Sequence, residues 1–191
     1  MIPSRGPHQL VELIQMDSTL RLDIRYARAD NFVGRAVYSE PRAFLQKVAA
    51  EALVRVHRKL AKDGLGLLIF DGYRPWSVTK VFWDLTPVEN RRFVANPETG
   101  SRHNRGCAVD LSMFDLSTGR PADMPTDFDE FTERAAANYS GATESQRRNR
   151  DHLIQSMSAE GFTVYSYEWW HFDHPDWKSY PVLDLRFDEI S

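Results

Sequence analysis

The run Leu65-Gly66-Leu67-Leu68-Ile69-Phe70, stopped by Asp71-Gly72, constrains the fold of this chain more than any other stretch. An almost uniformly apolar segment this short suits a buried strand better than a helix. The segment before it, from about Pro41 to Lys62, carries Phe44, Leu45, Val48, Ala52, Leu53, Val56 and Leu60 at helical spacing, and Gly64 is placed to end it. An apolar stripe leading directly into a buried strand predicts a helix packed on a sheet.

Other elements are readable along the chain. Helix is expected after Pro75, and Thr86-Pro87-Val88-Glu89 has the form of a second helix start, with Thr as cap and Pro in the first position. A loop rich in Asn, Pro, Gly and Ser spans about Ala95 to Arg105. Ala108 to Phe114 reads as a strand closed by a turn at Ser117-Thr118-Gly119, Glu144 to Glu160 as a helix ending at Gly161, and Phe162 to Tyr167 and Val182 to Phe187 as two more strands. Strands and helices mix without a regular βαβ rhythm, which predicts an α+β fold with a mainly antiparallel central sheet flanked by helices. With 191 residues, 42% of them hydrophobic, and no repeat or linker-like tract, residues 1–191 are expected to form a single domain.

A net charge of -3 leaves no surplus for gripping a phosphate backbone, so nucleic acid is not an expected partner and a small molecule or peptide is. The lone Cys107 cannot form an internal disulfide and is expected as a small packed residue beside Gly106, compatible with a reducing cytoplasm. Met1 to His8 contains no apolar leader, and no segment offers the roughly 18 uninterrupted apolar residues of a membrane span. A cytoplasmic protein without membrane insertion is the expectation.

Two local patterns carry chemistry: Ser101-Arg102-His103-Asn104-Arg105-Gly106-Cys107-Ala108-Val109-Asp110 and Glu168-Trp169-Trp170-His171. Together they offer two imidazoles and two carboxylates. A catalytic zinc takes three N or O ligands and keeps a fourth position open, and His103, Asp110 and His171 supply such a set. Glu168 is then left to act as general base. Glu168 and His171 are three apart, a spacing that a regular strand places on opposite faces, so a bulge or strand end is predicted there. Trp169 and Trp170 are expected in the core. His174 remains a possible alternative ligand, while His8, His57 and His152, and the Arg147-Arg148-Arg150 cluster, are expected at solvated or helix-surface positions.

The Ser-x-His-x-x-Gly-x-Ala-x-Asp pattern at 101 to 110, Glu-x-Trp-His at 168 to 171 and Asp71-Gly72-Tyr73-Arg74-Pro75 resemble the zinc-dependent D-alanyl-D-alanine dipeptidases, the VanX type of D-Ala-D-Ala metallopeptidase. The resemblance runs from about residue 17 to residue 187 and includes Tyr26 to Gly34 and Met124 to Arg134. It implies one zinc ion on His103, Asp110 and His171, with Glu168 as general base. It further implies that Arg74 stabilises the tetrahedral intermediate. Ser101 is implied to meet the terminal carboxylate of a small dipeptide, and Tyr26 and Asp129 to surround its ammonium, with Asp127 close enough in sequence to compete for the last role. Two other readings share the metal motif: a D,D-carboxypeptidase or endopeptidase on muropeptides, and a binding module that keeps zinc without catalysis. Glu168 and Arg74 speak against the second, because a structural metal needs neither.

Overall fold

The computed structural model describes residues 8–190, so the stretch read as free of an apolar leader lies almost entirely outside the described residues. In chain order the elements are strand β1 (Leu10–Glu12), helix α1 (Leu13–Met16), strands β2 (Arg21–Leu22) and β3 (Phe44–Gln46), helix α2 (Lys47–Leu60), strand β4 (Leu65–Asp71), helix α3 (Trp76–Leu85), strand β5 (Ala108–Asp115), helix α4 (Glu144–Ser158), and strands β6 (Thr163–Tyr165) and β7 (Glu168–Asp173). Five strands form one sheet in the order β2-β4-β5-β7-β6. Only the β2–β4 pairing is parallel, so the expected α+β fold with a mainly antiparallel sheet is what forms. A separate antiparallel ribbon joins β1 to β3.

The helix anticipated from Pro41 begins later, because Phe44–Gln46 is drawn into the ribbon with Leu10–Glu12. Gln46 is fully buried there, its side chain accepting from Gln9 N at 2.8 Å and donating to Arg105 O at 2.9 Å. From Lys47 onward the helical spacing holds, and Ala49, Leu53, Val56 and Leu60 are buried on the face of α2 that meets β4. The chain leaves α2 through a 3-10 turn, Ala61–Asp63, and Gly64 takes the left-handed conformation at φ 75°. α4 opens with a reciprocal cap, Thr143 Oγ1 accepting from Gln146 N and Gln146 Oε1 accepting from Thr143 N.

Other expectations are corrected. Thr86 closes α3 rather than opening a helix: its hydroxyl donates to Phe82 O at 2.7 Å, and the chain continues into a 3-10 helix, Val88–Phe93. Val182 to Phe187 is no sheet strand; Leu183 N donates to Asn104 O, Leu183 O accepts from Trp76 N, and a 3-10 turn starts at Phe187. His57 is buried between α2 and β4, where Nδ1 accepts from Leu67 N at 3.1 Å and Nε2 pairs with the Thr19 hydroxyl at 2.8 Å. Arg150 is buried as well, donating to Tyr139 O at 2.6 Å and pairing with Asp151. Sequence spacing puts both on the surface because a helical period locates a face but not what packs over it. Trp169, Trp170 and Cys107 are buried as expected.

Leu53 has no accessible surface. Leu53→Ala should lower stability by about 2–5 kcal/mol through lost burial and a residual cavity. Urea unfolding checks this as a lower midpoint at unchanged slope.

Candidate metal centre

The sheet brings three acidic or basic side chains into one row: Asp71 on β4 lies opposite Asp110 on β5, which lies opposite His171 on β7. Two irregularities make the row possible. On β4 the pairing passes from Ile69↔Leu111 to Asp71↔Asp110, so Phe70 is an extra residue. On β7 it passes from Phe172↔Val164 to Glu168↔Tyr165, leaving Trp169, Trp170 and His171 without partners on β6. The spacing predicts a bulge or a strand end, and both occur, since Glu168 also begins β7; Glu168 Oε2 comes to 4.0 Å from His171 Nδ1.

His103 arrives from the loop side, on the 3-10 turn His103–Arg105. Gly106 ends that turn at φ 68°, a conformation that favours glycine, and a Cβ there would lie 2.5 Å from Leu10 Cδ2 and displace that side chain. Gly72 is similarly constrained, since a Cβ would meet Phe44 O at 2.5 Å; its own carbonyl accepts from His103 Nδ1 at 2.7 Å.

His103 Nε2, His171 Nδ1 and Asp110 Oδ1 form a closed triangle with sides of 3.2, 3.0 and 3.4 Å. Ligand distances of about 2.0–2.1 Å in a tetrahedron separate donor atoms by about 3.3–3.4 Å, so the three atoms sit where one tetrahedral ion needs them. The outer partners agree. His103 Nδ1 is engaged by Gly72 O, and His171 Nε2 by Asp173 Oδ1 at 3.0 Å, each arrangement leaving the other ring nitrogen to present a lone pair inward. Asp173 is itself bound by Arg102. The residues fit a metal ion. His174, by contrast, accepts from Asp176 N and packs on Phe162, outside the cluster.

The surroundings form a cleft of about 230 Å³. Its floor and walls include Arg74, Ser101, Asp129 and Glu168, with Tyr26, Phe82 and Trp170 as apolar surfaces. The Glu168 carboxylate accepts no hydrogen bond from the protein among the described residues, and burial pushes its pKa up to about 8. Arg74 is buried and fixed: Nε and Nη2 both donate to Asp71 Oδ2, at 2.9 and 2.7 Å, while the Tyr38 hydroxyl and Gly72 N hold Asp71 Oδ1. Nη1 makes no hydrogen bond to the protein among the described residues.

Asp129 receives the Tyr26 hydroxyl at 2.7 Å and adopts φ 61°, a left-handed conformation that Asp tolerates better than most residues. Burial raises its pKa to about 7, against the pull of that hydrogen bond. Asp127 instead makes a two-pronged pair with Arg25 and lies outside the cleft, so of the two it is Asp129 that lines it. Ser101 Oγ accepts from His103 N at 3.1 Å, which leaves its hydroxyl proton to donate elsewhere.

Asp71 and Asp173 are members of the site to which the sequence patterns assign no role, although Asp71 opens the Asp71-Gly72-Tyr73-Arg74-Pro75 motif. Asp71 reads locally only as a strand stop. A signal for Asp173 is present, since the period of two puts it on the face of His171.

A site of two imidazoles and one carboxylate, beside a glutamate that accepts no hydrogen bond among the described residues and a fixed guanidinium, belongs to the class of single-metal hydrolases. The sequence relationships narrow this further. A family profile described as D-ala-D-ala dipeptidase matches residues 7–189. The chain is 37% identical over 179 residues to a D-alanyl-D-alanine dipeptidase of Escherichia coli (strain K12), covering 94% of this chain and 91% of that protein. It is 34% identical over 193 residues to one of Enterococcus faecalis, covering 92% and 95%, and 32% identical over 185 residues to one of Streptomyces coelicolor, covering 85% and 92%. The chain belongs to the D-Ala-D-Ala dipeptidase family of peptidases.

In the metal-free protein, burial disfavours the His171 cation, but hydrogen bonds to Asp110 and Asp173 outweigh it and raise the pKa to about 10. His171 therefore carries a proton near neutrality that a metal ion must displace. Titration of the metal-free protein with zinc at pH 7 should release at least about one proton per ion, and affinity should fall as the pH falls. Calorimetry in buffers of different ionisation enthalpy measures the release; uptake without protons would contradict the assigned state.

Proposed function

We propose that this protein is a zinc-dependent dipeptidase that hydrolyses D-alanyl-D-alanine to free D-alanine. The observation that carries the reading is the donor triangle of His103, Asp110 and His171 with the Glu168 carboxylate 4.0 Å from one of its corners. Family membership and the dipeptidase names of its relatives support the substrate. So does the cleft, whose volume falls below the roughly 300–1,000 Å³ of drug-sized ligand sites.

Held by His103, Asp110 and His171, zinc supplies a Lewis acid that polarises a carbonyl and acidifies water. The remaining steps belong to this chain. Glu168 takes the proton of the attacking water on its carboxylate and delivers it to the leaving amine. Arg74, held from behind by Asp71, presents Nη1 to the oxygen on which charge develops, so its donor is in place before the transition state forms. Asp129, with one oxygen engaged by Tyr26, offers the other to the substrate ammonium. Ser101 donates its hydroxyl to the substrate carboxylate. Recognition of both charged ends accounts for a preference for a dipeptide over a longer chain. No helix among the described residues is long and apolar enough to cross a membrane, and with Cys107 buried and unpaired we assign the activity to the cytoplasm.

The test is D-alanine release from D-Ala-D-Ala by the zinc-loaded protein beside Glu168→Ala, with zinc quantified in both. Loss of the base should lower kcat by about 10²–10⁴-fold while zinc content is kept. A parent that holds zinc and leaves the dipeptide intact overturns the substrate. Arg74→Ala should lower kcat by about 10²–10³-fold, and it should also destabilise the fold by about 3–5 kcal/mol, because Asp71 loses its buried counter-ion.

A further inference from the structure

Four carboxyl groups, those of Asp110, Asp129, Glu168 and Asp173, line the cleft. The metal ion and the substrate ammonium answer part of their charge, but a dipeptide also brings a carboxylate, which would enter that field. Ser101 offers it one neutral hydroxyl. A cation at that end is what the electrostatics call for, and the cleft contains three guanidinium groups, those of Arg74, Arg92 and Arg102.

Two of the three are committed. Arg74 is bound twice to Asp71 and faces the reacting centre. Arg102 is bound to Asp173 and stacks on Trp177, with its charge spent on the carboxylate behind His171. Arg92 alone pairs with no carboxylate among the described residues; its guanidinium rests over the Phe93 ring, 4.8 Å from the centroid. Phe93 in turn stacks on Phe131 at 5.0 Å, so the surface under Arg92 is braced.

Position agrees with charge. Arg92 sits at the end of the 3-10 helix Val88–Phe93, and the chain runs from there along the cleft wall through Val94 and Ala95 to Gly100 and Ser101. The intervening loop is tightened by Thr99 N and Gly100 N, which both donate to Asn96 O, and is tied to α3 by Trp76 Nε1 donating to Pro97 O at 2.9 Å. Arg92 and Ser101 are therefore two groups on one continuous wall.

We propose that Arg92 is the cationic partner of the substrate's terminal carboxylate, acting with Ser101 to select dipeptides that carry a free C-terminus. The assignment rests on the dipeptidase reading above. Guanidinium pairs with carboxylate as a charge-assisted, two-pronged donor, which a hydroxyl alone cannot match.

The experiment compares D-Ala-D-Ala with its C-terminal amide, D-alanyl-D-alaninamide, as substrates of the zinc-loaded parent, Arg92→Ala and Arg92→Lys. Arg92 is exposed, so the variants should fold. For the acid, Arg92→Ala should raise KM by about ten- to a hundredfold, the range that hydrogen bonds to charged groups support, with kcat changed far less. Arg92→Lys should recover most of the loss. For the amide, the parent and Arg92→Ala should behave alike. Equal effects on acid and amide, or none on either, overturn the proposal while leaving the dipeptidase reading intact. A parent inactive on both substrates overturns the dipeptidase reading and the Arg92 assignment with it.

Discussion

Three electron-rich atoms held 3.0 to 3.4 Å apart, two imidazole nitrogens and a carboxylate oxygen, are the constraint on which the rest of this structure depends. Lone pairs so close repel unless a cation or a proton sits among them, and a chain holds such a cluster only where its backbone leaves little freedom. Here that rigidity comes from three directions. Asp110 sits on the central strand β5, His171 on a bulged neighbour, and His103 on a turn fixed by Gly106 and by the Gly72 carbonyl. Each bulge costs ladder hydrogen bonds; the one on β7 brings Glu168 and His171 to the cleft, and the one on β4 places Asp71 behind Arg74.

A second layer of charge keeps the first in place. Asp71 gathers the Tyr38 hydroxyl, Gly72 N and Arg74, which holds the guanidinium in place even though burial still raises the Asp71 pKa above the ordinary carboxylate value. Asp173 does the same for His171 and is steadied by Arg102. Glu168 and Asp129 have fewer partners: among the described residues Glu168 accepts no hydrogen bond and Asp129 accepts one, from Tyr26, and burial raises Glu168 to about 8 and Asp129 to about 7. Groups whose environments push their pKa values away from the ordinary range mark a site built for chemistry. Arriving cations, a metal ion beside Glu168 and an ammonium beside Asp129, would draw both back toward the charged form.

Much of this is legible in the sequence because metal ligation demands particular side chains at particular spacings. The misfit of Glu168 and His171 with a regular strand predicts a bulge or a strand end, and the register shift falls there, at the start of β7. The apolar run of β4 and the capped start of α4 are equally plain, since burial and capping are local matters. The features that escape a sequence reading depend on partners distant in the chain. Phe44 to Gln46 carries a helical period yet pairs with Leu10 to Glu12, and His57 and Arg150 lie on helices whose surfaces are covered by Leu67 and Tyr139. Val182 to Phe187 has strand composition, but its backbone groups are claimed by Asn104, Trp76 and the Tyr73 hydroxyl. Asp71 looks like a turn residue because nothing local shows that Tyr38 and Arg74 converge on it.

X-ray absorption of the zinc-loaded protein tests the central claim most directly, because it reads the ligand atoms themselves. The account predicts one zinc per chain with only nitrogen and oxygen neighbours at about 2.0–2.1 Å and the outer-shell scattering of two imidazoles. A sulfur neighbour at about 2.3 Å, or a spectrum without imidazole scattering, would contradict the assignment of His103, Asp110 and His171.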